Sequence, residues 1–278
     1  MIWNMRKLLL VCLLAVSVCF TGCSFEAVPS RYDMKLKSDT NAIEIENGGG
    51  VETVEVTVDS RSFHDMSSET DRMFLSYHLL DSQGNILIHD GIRTSLDPIP
   101  ARGIKKERVD IQIPLEAGNY TAEIDLVEEG VTWFSEQGME TVKIPITVRE
   151  TAQPDYSKIT ITSDLQAIEI QPRENLEIPI TIHNNSGIAL FSSGEQGVVL
   201  SYRVYDNSGL LISEGARTAL PSYINTGGEL TLVLAPQTDA FPSSGTCQMN
   251  IGLLIEGTAW LNDWGAEELS IPITIHPE

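Results

Sequence analysis

The amino-acid sequence predicts an all-β protein in which two similar sandwich domains follow one another along the chain. Three observations support this prediction. A set of short motifs occurs twice in the same order, apolar and polar residues alternate over many short segments, and no segment shows a convincing helical period.

The repeated motifs lie about 125 residues apart, which is longer than the roughly 20 to 50 residues of solenoid repeats. Each copy contains, in this order, a Leu-Ser-Tyr segment, an Asp-x-x-Gly turn, a Gly-x-Arg-Thr segment and a Glu-Gly turn followed by tryptophan. These motifs start at Leu75, Asp81, Gly91 and Glu129 in the first copy and at Leu200, Asp206, Gly215 and Glu256 in the second. Each copy is therefore expected to be a complete domain with its own core.

Alternation with a period of two is clear in the first copy. Ile43 and Ile45 alternate with glutamates, and a valine occupies every second position from Val54 to Val58, which is typical of strands with one buried face. Further strands are predicted around residues 73–80, 86–89, 108–113, 120–127 and 141–148. Seven or eight short strands indicate an antiparallel sandwich of immunoglobulin or fibronectin type III character.

The module boundaries follow from where the alternation starts and stops. We place the first sandwich module at residues 35–150 and the second at residues 158–278. The linker between them, residues 151–157, contains Pro154 and is short. The two modules are therefore expected to touch or to have limited freedom.

The turn residues are consistent with this fold. Asp81 and Asp206 each precede a glycine by three residues, which predicts hairpin loops, because a calcium loop would need several more regularly spaced oxygen ligands. Tyr120 follows Gly-Asn before an alternating strand and predicts a tyrosine corner, in which the hydroxyl bonds to nearby backbone. Cys247 takes that position in the second module and is predicted to be a buried, inert thiol.

The N-terminal residues predict export. Arg6 and Lys7 precede an apolar run that ends at Phe20, and residues 1–22 are interpreted as a signal peptide. Phe20-Thr21-Gly22-Cys23 resembles the lipobox of bacterial lipoproteins, which implies that Cys23 becomes a lipidated N-terminus and that residues 23–34 form a tether. The alternative is an ordinary secretory peptide with a chance cysteine. The lipid anchor would place the protein at a membrane on the extracytoplasmic side, either at an outer surface or in the periplasm.

Charge and cysteine content limit the partners. The chain carries 39 acidic and 18 basic residues, a formal net charge of −21, and signal-peptide removal takes away Arg6 and Lys7 but no acid. Such a surface disfavours nucleic acid. After processing and lipidation only Cys247 of the four cysteines keeps a free thiol, so no intramolecular disulfide is expected.

No catalytic or metal-binding motif supports an enzyme. The five histidines are scattered without zinc-site spacing, and neither a phosphate-binding glycine loop nor a GxSxG motif is present. No cofactor or metal is expected. Asp125, Glu128 and Glu129 are the best catalytic candidates, because paired carboxylates hydrolyse glycosides. However, the second copy has Gly252 at the position equivalent to Asp125. We therefore expect these acids to be ordinary charged residues of a turn and a strand edge.

The shared tryptophans and arginines are the candidate ligand-binding residues. Trp133 and Trp260 occupy equivalent positions, where a ring either packs against the sandwich or stacks on a sugar. Trp264 has no aromatic counterpart and is the better candidate for an exposed contact. Arg93 and Arg217 either form structural ion pairs, with Glu129 and Glu256, or present a planar donor group to a ligand.

The ordered motifs resemble the immunoglobulin-like modules appended to bacterial cell-surface polysaccharide enzymes and to the sugar-binding end of polysaccharide ABC-exporter ATPases. Asn184-Asn185-Ser186-Gly187 supplies the asparagine-rich loop of that pattern in the second module, whereas the first module has Arg61-Ser62-Phe63-His64 there. The second module also departs from the pattern at Cys247 and Leu261. The resemblance implies a non-enzymatic envelope protein associated with cell-surface glycan. The alternative is a protein-interaction scaffold, which would present an apolar patch or an open strand edge.

Overall fold

The computed structural model describes residues 30–192 and 197–277 and shows two sandwiches with the same strand order. The first module contains ten strands. They are β1 Met34–Ser38, β2 Ile43–Asn47, β3 Val51–Ser60, β4 Met73–Leu80, β5 Ile86–Ile88, β6 Thr94–Ser95, β7 Ile104–Gln112, β8 Gly118–Glu128, β9 Thr132–Trp133 and β10 Val142–Glu150.

The second module repeats these ten strands. They are β11 Ile159–Thr162, β12 Ile168–Ile170, β13 Ile178–Asn184, β14 Val198–Tyr205, β15 Leu211–Glu214, β16 Thr218–Ala219, β17 Gly228–Leu234, β18 Gly245–Ile255, β19 Ala259–Trp260 and β20 Leu269–Ile275.

Each module packs a small sheet against a large one. The small sheets have the order β1-β3-β7 and β11-β13-β17, and the large sheets have the order β2-β10-β8-β4-β5 and β12-β20-β18-β14-β15. Alternate residues of facing strands bury their side chains between the sheets, for example Val54, Val56 and Val58 on β3. The all-β, immunoglobulin-like tandem expected from the sequence is confirmed.

The structure refines the prediction in two places. One pair of strands in each module is parallel, β2 with β10 and β12 with β20, because the chain crosses to the other sheet after the first strand without reversing. A single α-helical turn, Ser68–Asp71, interrupts the loop before β4 where no helix was predicted. It forms because the Ser67 hydroxyl accepts a hydrogen bond from the Thr70 N–H and caps the turn.

The tyrosine corner predicted at Tyr120 is present. The Tyr120 hydroxyl donates to the Glu116 carbonyl oxygen over 3.0 Å, which ties the start of β8 to the preceding loop. Cys247, at the equivalent position of β18, is buried in the second core, and burial raises the pKa of its thiol. The tyrosine corner and the burial of Cys247 therefore agree with the structure.

The two modules contact each other end to end. The Ala189 N–H of the second module donates to the Gly49 carbonyl oxygen of the first over 2.7 Å, and the Tyr223 hydroxyl donates to Asp110 Oδ2 over 2.8 Å. Leu115, which follows β7, packs against the core of the second module. The contact expected from the short linker is present.

Candidate functional site

The shared tryptophans lie on the outer face of each large sheet. Trp133 stands directly opposite Val127 on β8, so both side chains point to the same side of the sheet. The next residue, Phe134, points the other way and is fully buried in the core between the sheets. Trp260 stands opposite Leu254 in the same arrangement, and Leu261 takes the core position. The two rings therefore lie outside the core between the sheets, and neither is a fully exposed aromatic surface.

Polar side chains cover Trp133. Its ring is only 8% exposed. The His78 ring lies 4.2 Å from it between centroids, the His89 ring lies 6.0 Å away, and the guanidinium carbon of Arg93 lies 5.1 Å from the ring centroid. A ligand would have to move these side chains to stack on the indole.

Arginines cover Trp260 instead. The guanidinium of Arg203, which occupies the position of His78, lies 4.2 Å from the ring centroid, and that of Arg217 lies 5.9 Å away. Arg203 also bonds Glu268, so its charge is balanced beside the ring. The half-buried Trp260 therefore packs against one arginine from β14 and one from the loop between β15 and β16.

Arg93 and Arg217 form the ion pairs proposed from the sequence. Arg93 Nε lies 3.1 Å from Glu129 Oε2, and its Nη2 lies 2.8 Å from Asp90 Oδ1. Arg217 makes the same fork to Glu256 and Glu214, with both N–O distances at 2.6 Å.

Each arginine also bonds the serine of the Leu-Ser-Tyr segment. Arg93 Nη1 donates to Ser76 Oγ over 2.8 Å, and Arg217 Nη1 donates to Ser201 Oγ over 3.3 Å. Because the same bonds occur within each module, we assign both arginines a structural role first.

Trp264 is the exposed aromatic residue of this group. It ends the short 3₁₀ helix Leu261–Trp264, is 43% exposed, and lies 5.3 Å from the half-buried Tyr156 ring between centroids. Tyr156 belongs to the linker and packs on the second core. The pair thus leaves part of the indole accessible while it packs the linker against the second module.

The three candidate carboxylates engage separate partners. Asp125 is fully buried, and its two oxygens accept hydrogen bonds from the Leu126 and Ser135 N–H groups over 2.7 and 3.2 Å. Burial raises the pKa of Asp125.

The other two carboxylates face different side chains. Glu128 accepts from the Tyr32 hydroxyl over 3.1 Å and pairs with Arg31, and Glu129 pairs with Arg93. This is the arrangement expected of structural carboxylates, since none of the three shares a partner with another.

Sequence reasoning missed a surface on the outermost strand of each large sheet. β5 exposes Ile86 and Leu87, and the β15 region exposes Leu210, Leu211 and Ile212. Each edge strand pairs on one side only in this sheet order. The apolar run was visible in the sequence, but its position at an edge depends on the strand order.

The predicted membrane anchor and the question of metal binding concern other parts of the molecule. Cys23 and the signal peptide lie outside the described residues. Within the described part of the chain, no helix has the length and apolar character needed to cross a membrane. No group of three or more His, Cys, Asp or Glu side chains in residues 30–192 and 197–277 is arranged to hold a metal ion.

Comparisons with known proteins identify no relative from which a function follows. No family model matches the chain, and no curated protein matches it. Similar solved structures include red sea bream transglutaminase, which is 11% identical over 90% of this chain with a TM-score of 0.27. This chain spans 32% of that protein.

Two further similar structures match over almost their whole length. A CARDB domain from Pyrococcus furiosus is 17% identical over 45% of this chain and 96% of its own length, with a TM-score of 0.28. CBD12 from CALX1.2 is 12% identical over 86% of this chain and 99% of its own length, with a TM-score of 0.23. Similarities this weak carry no argument about function. The chain's own strand order defines it as a two-module, immunoglobulin-like β-sandwich protein.

Proposed function

We propose that this protein is a non-enzymatic, lipid-anchored protein of the cell envelope that binds a cell-surface glycan. The lipobox-like segment ending at Cys23 supports the anchor, and the acidic surface suits an exported protein that avoids nucleic acid. The protein lies on the extracytoplasmic side of the membrane, where a glycan ligand is accessible.

The observation that carries the glycan proposal is the exposed indole of Trp264. Its ring lies 5.3 Å from the Tyr156 ring between centroids with a tilt of 34°, and the residue keeps 43% of its surface accessible. An exposed aromatic ring that packs against a second ring suits the apolar face of a sugar, because its packing limits the conformational entropy lost on binding. The feature belongs to the second module alone, since Gln137 stands opposite Trp264 in the first.

Titration of the intact protein in detergent with the host's own surface polysaccharides tests this proposal. Tryptophan fluorescence should change with saturation, and calorimetry should give a matching binding curve. The Trp264→Ala variant should bind about tenfold more weakly, because an exposed stacking contact is lost. Absence of any response by both methods would contradict glycan binding.

The anchor is tested by growth with a fatty-acid analogue. The protein should incorporate the label, and the Cys23→Ala variant should not. Label that survives this substitution would contradict lipidation at Cys23.

A second candidate function is protein binding, and the exposed edge strands support it. Apolar side chains lie on the free edge of β5 and again at β15, so an extended segment of another envelope protein could continue either sheet. Crosslinking in whole cells should then recover a partner with the native protein but not with Leu87→Lys and Leu211→Lys, which place charges on these edges. Recovery unchanged by both substitutions would contradict this candidate.

A further inference from the structure

A polar groove crosses the outer face of the second module. It has a volume of about 670 Å³ and runs over β14, β18 and β20 near the turn that follows β14. Its lining includes Tyr205, Asn207, Gln248, Asn250, Ser270 and Pro272.

The register of the three strands places these side chains in rows. Tyr205, Gln248 and Pro272 lie side by side across the sheet and form one row. Arg203, Asn250 and Ser270 lie side by side in the next row on the same face. An aromatic ring and a proline therefore flank an amide, and a second amide with a hydroxyl lies beside them.

Hydrogen bonds hold the polar groups in place. Gln248 Nε2 donates to Ser270 Oγ over 2.7 Å, and Ser270 Oγ donates to Asn250 Oδ1 over 2.7 Å. Asn207 Nδ2 donates to Thr246 Oγ1 over 2.9 Å at the end of the groove. A primary amide offers two N–H donors and an acceptor oxygen, so Gln248 and Asn207 keep hydrogen-bonding capacity toward solvent after these bonds.

The residues that line the groove carry one formal charge, and the Arg203–Glu268 ion pair borders them, since Asn250 Nδ2 donates to Glu268 Oε2 over 3.3 Å. Asp206 is the one carboxylate among the lining residues, and its Oδ1 accepts from the Ser208 and Leu210 N–H groups over 2.8 and 2.9 Å. This low charge stands out in a chain with a formal net charge of −21. The surrounding acidic field opposes the approach of an anionic ligand.

The first module lacks this chemistry at the same positions. Its corresponding rows contain Leu80, Thr121 and Pro145, and then His78, Glu123 and Lys143. Lys143 Nζ lies 3.2 Å from Glu123 Oε1, so an ion pair occupies the place of the second module's Asn250 and Ser270. The fold needs neither the tyrosine nor the amides there, because the first module folds without them.

We propose that this groove binds an uncharged saccharide. Amides and hydroxyls fixed on a rigid sheet match the donors and acceptors of sugar hydroxyls, and the Tyr205 ring supplies an apolar face. This inference rests on the proposed glycan function and assigns it to a second surface with a defined class of ligand. Neither Tyr205 nor the amides were singled out by the sequence.

The test uses the intact protein in detergent and calorimetric titration with short uncharged oligomers of glucose, mannose, galactose and N-acetylglucosamine. Oligomers of galacturonic acid provide the anionic arm. At least one uncharged oligomer should bind, and the anionic oligomer should not. Tyr205→Leu, which installs the residue of the first module, should weaken binding about five- to tenfold. Asn250→Glu combined with Ser270→Lys should abolish oligomer binding, because these residues reproduce the Glu123–Lys143 ion pair of the first module and remove the amide and the hydroxyl.

The matched control is Glu123→Asn combined with Lys143→Ser in the first module, which should leave the affinity of the second module unchanged. Circular dichroism should show unchanged folding for all variants. Binding of an uncharged oligomer that survives both groove variants but is lost in Trp264→Ala would overturn the groove site and leave the proposed function standing. Binding of the anionic oligomer alone would overturn the ligand class. If neither these oligomers nor the host's surface polysaccharides bind, the proposed function fails together with the groove site.

Discussion

At the scale of single residues, the motifs shared by the two modules form one structural unit. Gly91 lies against the Tyr77 ring, and the Tyr77 hydroxyl accepts a hydrogen bond from the Gln112 N–H over 2.7 Å. In the second module, Gly215 and Tyr202 repeat the contact, and the Gln237 N–H donates to Tyr202 over 2.8 Å. The tyrosine thereby connects the large sheet to the small one, and the glycine leaves room for its ring.

We predict that Gly91→Ala and Gly215→Ala destabilise their modules. A Cβ atom would lie 2.5 Å from the Tyr77 ring in the first case and 2.1 Å from the Tyr202 ring in the second. Such overpacking costs about 1 to 3 kcal/mol in the free energy of unfolding, measured by urea denaturation. Gly50→Ala is the control, because nothing lies within 4 Å of the added atom. Equal stability of all three variants would contradict this explanation.

At the scale of structural elements, an aspartate organises the turn that follows β4 in the first module and β14 in the second. Asp81 Oδ1 accepts from the Gln83 and Asn85 N–H groups, each over 2.8 Å, and Gly84 closes the turn with a φ of 85°. Asp206 and Gly209 repeat the arrangement, with a φ of 84° at the glycine. The positive φ explains why glycine occurs in both copies.

We predict that both aspartates titrate below the usual value of 3.8. The hydrogen bond from the Asn85 side chain is the main cause that lowers the pKa of Asp81, and the Ser208 hydroxyl is the main cause for Asp206. A lowered pKa means that the turns gain stability above the pKa of the unfolded chain and lose it as pH falls through the folded pKa. Carbon-detected NMR titration of the carboxyl groups measures both midpoints. Asn85→Ala should raise the Asp81 midpoint, and midpoints at or above 3.8 in the native protein would contradict the argument.

At the scale of the whole molecule, the two sandwiches are joined through side chains as well as through the linker. Tyr223 of the second module bonds Asp110 on β7 of the first, and its ring packs on Phe191 at 5.6 Å between centroids. Gly49, with a φ of 80°, lets the first module approach Ile188 closely. The modules are therefore expected to tumble as one body.

We predict that this contact weakens at high pH. Burial, followed by the bond to Asp110, raises the pKa of Tyr223 to about 12. The neutral phenol is the form that donates, so its contribution is complete below the ordinary pKa of 10.0 and is lost as pH rises toward about 12. An ultraviolet titration of tyrosinate should lose part of its highest-pH phase in Tyr223→Phe. Small-angle scattering of that variant should show greater module freedom at neutral pH, and unchanged curves in both experiments would contradict the role of Tyr223.

Much of the fold was predictable because its signals are local. Alternation located the strands from Val54 to Val58 and around Tyr120, and the Asp-to-Gly spacing located the hairpin turns. The ion pairs of Arg93 and Arg217 were also anticipated, since both partners are repeated in the two copies. The candidate site was less predictable. Alternation shows that Trp133 and Phe134 point to opposite faces, but it does not show what covers the tryptophan.

Neighbouring residues and the repeat were enough to establish two modules, their strand and turn order along the chain and the burial of Cys247, and they contain no recognised catalytic motif. Which surfaces are available depends on the tertiary structure. It covered Trp133 with His78 and Arg93, left Trp264 exposed, and placed Tyr205 beside Gln248 and Pro272. The physical reason is that a surface on a sheet is assembled from strands far apart in the chain, and their register and neighbours are fixed by packing of the whole domain.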